Sequence, residues 1–153
     1  MVRLSELPEA SRDHLLNLDC PTMDASPWVA GPKLSERRVA IVTTAGLQRR
    51  DDPAFHVGSS DYRVLPGEIQ GGDLVMGHAS INFDRSGFQE DINVVFPIDR
   101  LREFEAKGLI GSMASNHYTF MGVTHPAQMQ ASAEKVAEML LADNVDSVVL
   151  CGV

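Results

Sequence analysis

Thr43, Thr44, His78 and Cys151 are the residues of this sequence whose types and places suggest chemistry. Each falls at the carboxyl end of a predicted strand, where an open α/β sheet gathers its ligands. A thiol becomes a nucleophile at neutral pH only if its pKa is lowered. Cys151 ends an apolar run and precedes Gly152. A cysteine within such a strand packs inertly, whereas one just past its end is exposed with a lowered pKa; the pattern leaves both open. Thr43-Thr44-Ala45-Gly46 reads either as a plain tight turn or as a cradle of backbone N–H groups for a carboxylate or phosphate. It is not a GxGxxG fingerprint.

His78 and His117 are the two histidines best placed for a cleft, although a lone histidine is more often a hydrogen-bonded structural residue. Their spacing fits no metal motif and no other Cys or His lies at ligand spacing, which argues against a zinc or iron site. His14 and His56 read as surface residues, and His125 as part of the turn before Pro126. Asp91, Asn93, Asp99 and Arg100 surround an apolar Val94-Val95-Phe96-Pro97 core. Capping by Asp99 and loop hydrogen bonds explain them better than catalysis does.

The elements that must position these groups alternate. Ser5 starts a short helix with Pro8 in its first turn and Leu15, Leu16 and Leu18 on its apolar side. Residues 20–36 carry Pro21, Pro27, Gly31 and Pro32 and read as an irregular connector, from which Trp28 is expected to pack onto the domain. The first firm strand runs from Arg38 to Thr44, apolar enough to be covered on both faces of a parallel sheet. A polar loop from Leu47 to about Asp61 follows. Further strands are expected at Tyr62–Leu65 and at Asp73–His78, where His78 is terminal, with a polar stretch at 83–92 that includes Asp84 and Arg85. A helix follows Asp99, with Leu101 and Phe104 on its buried stripe and Gly108 as its C-terminal cap. Residues 111–122 read as a loop and short strand, and Pro126 opens the longest helix, with Val136, Met139 and Leu140 at helical spacing. Asp146–Leu150 is the last strand. The expected fold is α/β: a layered, mostly parallel, Rossmann-like sheet with flanking helices over 37–153, preceded by a helix and connector over 1–36.

Composition narrows the partners. Formal net charge is -8 over 153 residues, and Arg37-Arg38 and Arg49-Arg50 each lie close to acidic residues. Without a basic patch to displace phosphate counterions, nucleic-acid binding is disfavoured. No apolar run nears the ~20 residues a membrane span needs. The N-terminus lacks the apolar centre of a signal peptide. Seven Met and only two Cys, Cys20 and Cys151, suit a reducing cytosol, so the chain reads as cytoplasmic.

Taken in order, Val39-Ala-Ile-Val-Thr-Thr-Ala-Gly-Leu, Asp61-Tyr-Arg-Val-Leu-Pro-Gly, Asp91-Ile-Asn-Val-Val-Phe-Pro-Ile-Asp-Arg-Leu, Gly108-Leu-Ile-Gly-Ser and His117-Tyr-Thr-Phe-Met-Gly resemble the selenoprotein B family of glycine, sarcosine, betaine and D-proline reductases. Met1-Val-Arg-Leu-Ser-Glu-Leu-Pro-Glu and Ser26-Pro-Trp-Val look like its short members, so the resemblance spans nearly the whole chain. It implies reductive cleavage of a C–N bond, or another carbon–heteroatom bond, in a small amine or amino-acid derivative. The nucleophile it implies is a selenocysteine or cysteine placed after the strand that ends Leu150-Cys-Gly-Val, beyond Val153, turned over by a thiol reductant or redox partner protein with no other cofactor. This departs from the family pattern, because the sequence stops there, and it suggests a chain read up to a selenocysteine codon. Under the resemblance, His78 and His117 are candidate proton donors to the leaving amine. Thr43, Thr44 and Tyr118 would line a pocket for a substrate carboxylate or quaternary amine.

Two other readings stand beside it: a non-catalytic subunit or small-ligand-binding module in which Cys151 is structural, and a conventional cysteine enzyme using Cys151 itself. A last strand without a covering neighbour is expected to leave an edge or apolar face bare, favouring a homo-oligomer or a disordered C-terminus.

Overall fold

The computed structural model describes residues 3–19, 22, 26–80 and 85–153, so Met1, Val2, Cys20, Pro21 and Asp84 lie outside the described residues. A β-branched run forms the axial strand β1 (Arg38–Thr43) of a five-stranded sheet. On one side β1 pairs in parallel with β7 (Ser147–Cys151), from Val39↔Ser147 to Thr43↔Cys151. On its other side it pairs in parallel with β5 (Ser112–Met113) and then with β6 (Asn116–Phe120). The outer strand β3 (Tyr62–Pro66) runs antiparallel to β6. This is a mixed α/β fold with a mostly parallel sheet.

Two helices cover its faces. Val39 and Ile41 point into a cluster with Leu65, Phe96, Ile98, Leu101 and Ile110, beneath α3 (Ile98–Ala106). Ala40 and Val42 point the other way, where Val136, Met139 and Leu140 of α4 (Pro126–Ala142) meet them, Ala114, Tyr118 and Phe120. Gly108, at φ +66, ends α3, and Leu109 N–H returns to Phe104 C=O at 2.8 Å. His125 caps α4, its Nδ1 accepting from Ala127 N–H at 3.3 Å.

Several expectations need correction. Asp99 does not cap α3; it lies in the first turn and pairs with Arg102 at 2.8 Å, while its own N–H donates to Asn93 Oδ1. The strand leading to His78 shortens to β4 (Leu74–Met76) and leaves the main sheet, pairing antiparallel with β2 (Leu47–Arg49). β2 sits in the stretch read as polar loop because long-range bonds hold it, the ladder with β4 and Leu47 N–H donating to Thr119 Oγ1, while Gln48 Oε1 accepts locally from Phe55 N–H. The polar stretch before Ile92 contains a short helix, α2 (Ser86–Glu90). Trp28 does not pack onto the domain and is 87% exposed. Its segment is punctuated by Pro27, Gly31 and Pro32, and its N–H bonds only locally, to Ser26 Oγ. No described residue of 3–36 is buried, and Leu15, Leu16 and Leu18 of α1 (Glu9–Leu16) and its exit stay in solvent.

Between β5 and β6 the ladder on β1 breaks, and a side chain fills the gap. Ile41 N–H donates to Nδ1 of His117 at 3.0 Å. A buried backbone donor must find an acceptor, so Nδ1 carries no proton and the neutral ring is protonated on Nε2. Nε2 has no hydrogen-bond partner among the described residues, and the ring stands against Phe96 with centroids 5.7 Å apart. Burial, then Arg102 and Arg38, hold the pKa of His117 down to about 4, with Asp143 opposing.

This strap predicts an acid-labile fold. The unfolded imidazole titrates near 6.5 and the folded one at about 4. The unfolded chain therefore binds more protons in that window, and stability is intact above it but declines as pH falls through it, by up to about 3 kcal/mol. Urea denaturation of wild type and His117→Phe isolates the effect from other titrating groups. The variant should lose about 1–3 kcal/mol near neutral pH, because Ile41 N–H is left unsatisfied. The stability difference between the two proteins should shrink on acidification; a constant difference would refute the strap.

Candidate functional site

The carboxyl ends of β1 and β7 and the loops after β4 and β6 meet at one pole of the sheet. β1 leaves the ladder at Thr44, whose N–H donates to Cys151 C=O at 3.0 Å. Beyond that rung the Thr44 hydroxyl takes over: it accepts from Val153 N–H at 2.8 Å and donates to Val153 C=O at 3.4 Å. Gly122, two residues past β6, fits under this junction. A Cβ there would stand 2.8 Å from Val153 O, 2.9 Å from Thr44 O and 3.1 Å from His78 Nε2. Thr44, Gly122, Val153 and His78 are thus direct neighbours.

His78 arrives from the β4 side and is 5% exposed. Its Nδ1 accepts from Ser80 N–H at 3.2 Å, and its C=O accepts from Arg85 at 2.6 Å. Burial, followed by the Arg85 guanidinium, lowers its pKa below the ordinary 6.5. A neutral ring with Nδ1 accepting carries its proton on Nε2, the nitrogen facing Gly122. The pole therefore holds a buried neutral N–H donor beside a hydroxyl and two main-chain oxygens.

The remaining sequence candidates lie elsewhere or are otherwise engaged. Thr43 is 0% exposed, its hydroxyl donating to Val95 C=O at 2.8 Å and accepting from Ala45 N–H. Cys151, in register with Thr43, packs its half-buried thiol against the α3-side core, and burial pushes its pKa up from 9.0. His117 sits mid-sheet as the strap. Tyr118 faces α4, edge-on to Tyr62 at 6.3 Å, and borders a groove of about 380 Å³ with Asn116, Met139 and Asp143. That groove opens at the other end of β6, where Arg38, Asp143 and Ser115 bond one another. His14 and His56 are exposed, as expected.

Sequence reasoning missed Gly122, Ser80 and Arg85. Gly122 closes the quoted His117–Gly122 motif, but the close approach that requires glycine exists only once β1 and β7 end beside it. Among the described residues there is no group of three or more His, Cys, Asp or Glu that could hold a metal ion, and no helix is long and apolar enough to cross a membrane.

The family model described as glycine/sarcosine/betaine reductase selenoprotein B matches residues 12–153. The D-proline reductase subunit gamma of Acetoanaerobium sticklandii is 31% identical over 121 residues, covering 77% of this chain and 49% of that protein. The glycine reductase complex component B subunit gamma of Peptoclostridium acidaminophilum is 32% identical over 136 residues, covering 85% of this chain and 31% of that protein. The sarcosine reductase complex component B subunit beta of the same organism is 31% identical, with the same coverage of 85% and 31%. The chain thus spans about half, or less, of these curated relatives, and no solved structure matches it.

The surroundings of Cys151 predict a sluggish thiol. Iodoacetamide at mildly acidic pH, followed by peptide mapping, should leave Cys151 unmodified in the folded protein and label it readily after denaturation at higher pH. Rapid labelling of native Cys151 near pH 6 would show a thiolate and overturn this description.

Proposed function

The chain belongs to the glycine/sarcosine/betaine reductase selenoprotein B family, and from that premise we propose that it is a subunit of a cytoplasmic reductase system cleaving a C–N bond in a small amine or amino-acid derivative. The observation that carries this reading is the pole at which His78 Nε2, Thr44 and Val153 surround Gly122. A selenol or thiol carried just past Val153 would attack the carbon bearing nitrogen, breaking the C–N bond to release the amine, and two thiol equivalents would then regenerate it as the carbon takes a proton.

The roles of this chain's own residues follow from their chemistry. His78 would act through its neutral Nε2–H as a hydrogen-bond donor to the substrate at the pole. Burial and Arg85 disfavour the imidazolium that a proton donor to the departing amine would need, so that proton would come from solvent. Thr44 would act on the chain beyond β7. The buried hydroxyl of Thr43 and the α4-facing ring of Tyr118 favour structural roles over pocket lining, as does the strap for His117. A second reading, a non-catalytic or ligand-binding subunit, is favoured by the raised pKa of Cys151.

The sheet is proposed to extend past β7 into a Rossmann-like layer, through further chain or another subunit. β7 pairs only with β1 among the described residues, leaving Val148 41% and Leu150 75% exposed. If another copy covers this edge, Leu150→Glu should shift the protein from dimer toward monomer in sedimentation velocity, whereas an unchanged distribution excludes that contact.

The decisive test of activity uses the protein made from its complete reading frame, supplied with dithiothreitol and with glycine, sarcosine, betaine or D-proline. Amine release, or ring opening of D-proline, is expected with one of them, and His78→Ala should lower its kcat by about 10²–10³-fold, the loss of one hydrogen-bond donor. Absence of turnover with all four, with and without a cell extract supplying partner subunits, would favour the second reading.

A further inference from the structure

We propose that Thr44 and Gly122 are positioning residues, forming a bracket that holds Val153 against His78 and fixes the direction in which the chain leaves β7. The functional part of this inference rests on the reductase reading; the bracket itself rests on geometry alone. After the Thr44 N–H bond to Cys151 C=O the chain turns away through Ala45 and Gly46 into β2, so it offers β7 no further backbone rung. The Thr44 hydroxyl substitutes for the missing strand. It has one donor hydrogen and acceptor lone pairs, and it uses them on both backbone groups of Val153, at 2.8 and 3.4 Å. Gly152, between the two anchored positions, is exposed, so the hold falls on Val153 itself.

Gly122 closes the bracket from the β6 side. Two of the atoms nearest its missing Cβ are main-chain oxygens, Val153 O at 2.8 Å and Thr44 O at 2.9 Å, and the third is His78 Nε2 at 3.1 Å. Any larger side chain must displace the Val153 carbonyl, the end of β1 or the imidazole. The Val153 side chain, packed against the α3-side core, is the third anchor. These contacts spend one hydroxyl and one glycine on a single residue beyond a strand end. That residue is the last before the place where the reductase reading puts its nucleophile.

The test compares wild type, Thr44→Val, Thr44→Ser and Gly122→Ala in the protein made from its complete reading frame. Amide exchange at Val153 and the ring titration of His78 are followed by NMR, alongside turnover of whichever of glycine, sarcosine, betaine or D-proline the wild type cleaves. Thr44→Val should speed Val153 exchange about tenfold, the loss of one hydrogen bond, while Ile41 stays protected as the control for folding. Thr44→Ser should restore protection, and Gly122→Ala should move the His78 titration. In an active protein both disruptive variants should lower kcat about tenfold or more with KM little changed, and Thr44→Ser should recover it. Unchanged Val153 exchange together with unchanged His78 titration overturns the bracket, whatever the activity. An inactive wild type overturns the reductase reading and leaves the bracket to the NMR measurements; altered exchange with unaltered kcat overturns the positioning role.

Discussion

One backbone donor constrains much of this molecule. Ile41 lies at the centre of a strand buried on both faces, so its N–H has no access to water and must be accepted by protein. The adjacent strand line breaks there, at Ala114 and Ser115, and the imidazole of His117 reaches across to replace the absent carbonyl. The same bond sets the tautomer of the ring and leaves its other nitrogen among apolar neighbours. It also sets the register of β6 against the end of β1, since Val42↔Tyr118 and Thr43↔Thr119 follow directly. The turn at Thr44 and the loop holding Gly122 leave from those two strand ends.

Polar side chains satisfy backbone groups elsewhere in this core too. Thr43 serves Val95 and Ala45, Thr119 serves Leu47, and Gln48 serves Phe55. Each supplies a partner where irregular chain crosses the end of a regular strand, and a net hydrogen bond is worth only about 0.5–1.5 kcal/mol. An unmet buried group costs about 1–3 kcal/mol, so these residues matter chiefly through what their loss would leave exposed. They are polar because neighbouring backbone groups need hydrogen-bond partners, a donor for Val95 C=O and acceptors for the N–H groups of Ala45, Leu47 and Phe55, and this separates them from the residues gathered at the pole.

Legibility in the sequence followed the same division. The β-branched runs of β1 and β7, the stripe on α4 and the glycine stop at Gly108 were all readable, because local pattern and tertiary burial agree there. β2 was not readable: its strand character comes from its ladder with β4 and from Thr119, partners distant in the sequence and absent from any local window. The strand direction of β3 was also hidden, since periodicity carries no sign of parallel or antiparallel pairing. At the candidate site, the strand-end rule placed Thr44, at the end of β1, whereas His78 follows a strand of the separate β2–β4 ribbon and reaches the pole by tertiary packing. Thr43 and Thr44 are adjacent hydroxyls of the same type, yet the pleat sends them to opposite tasks, one into the core and one to the rim. Gly122 carried no signal, because a requirement for hydrogen in place of a methyl group arises only from three-dimensional crowding.

The exposed indole of Trp28 has a spectroscopic consequence. It is the single tryptophan in the sequence and stands 87% in solvent, on a segment with no buried neighbour. Its fluorescence therefore reports on the N-terminal arm and is nearly blind to the sheet. Melting of the α/β layer will pass with little change in emission, while any macromolecule that closes over the arm will shift the spectrum to the blue.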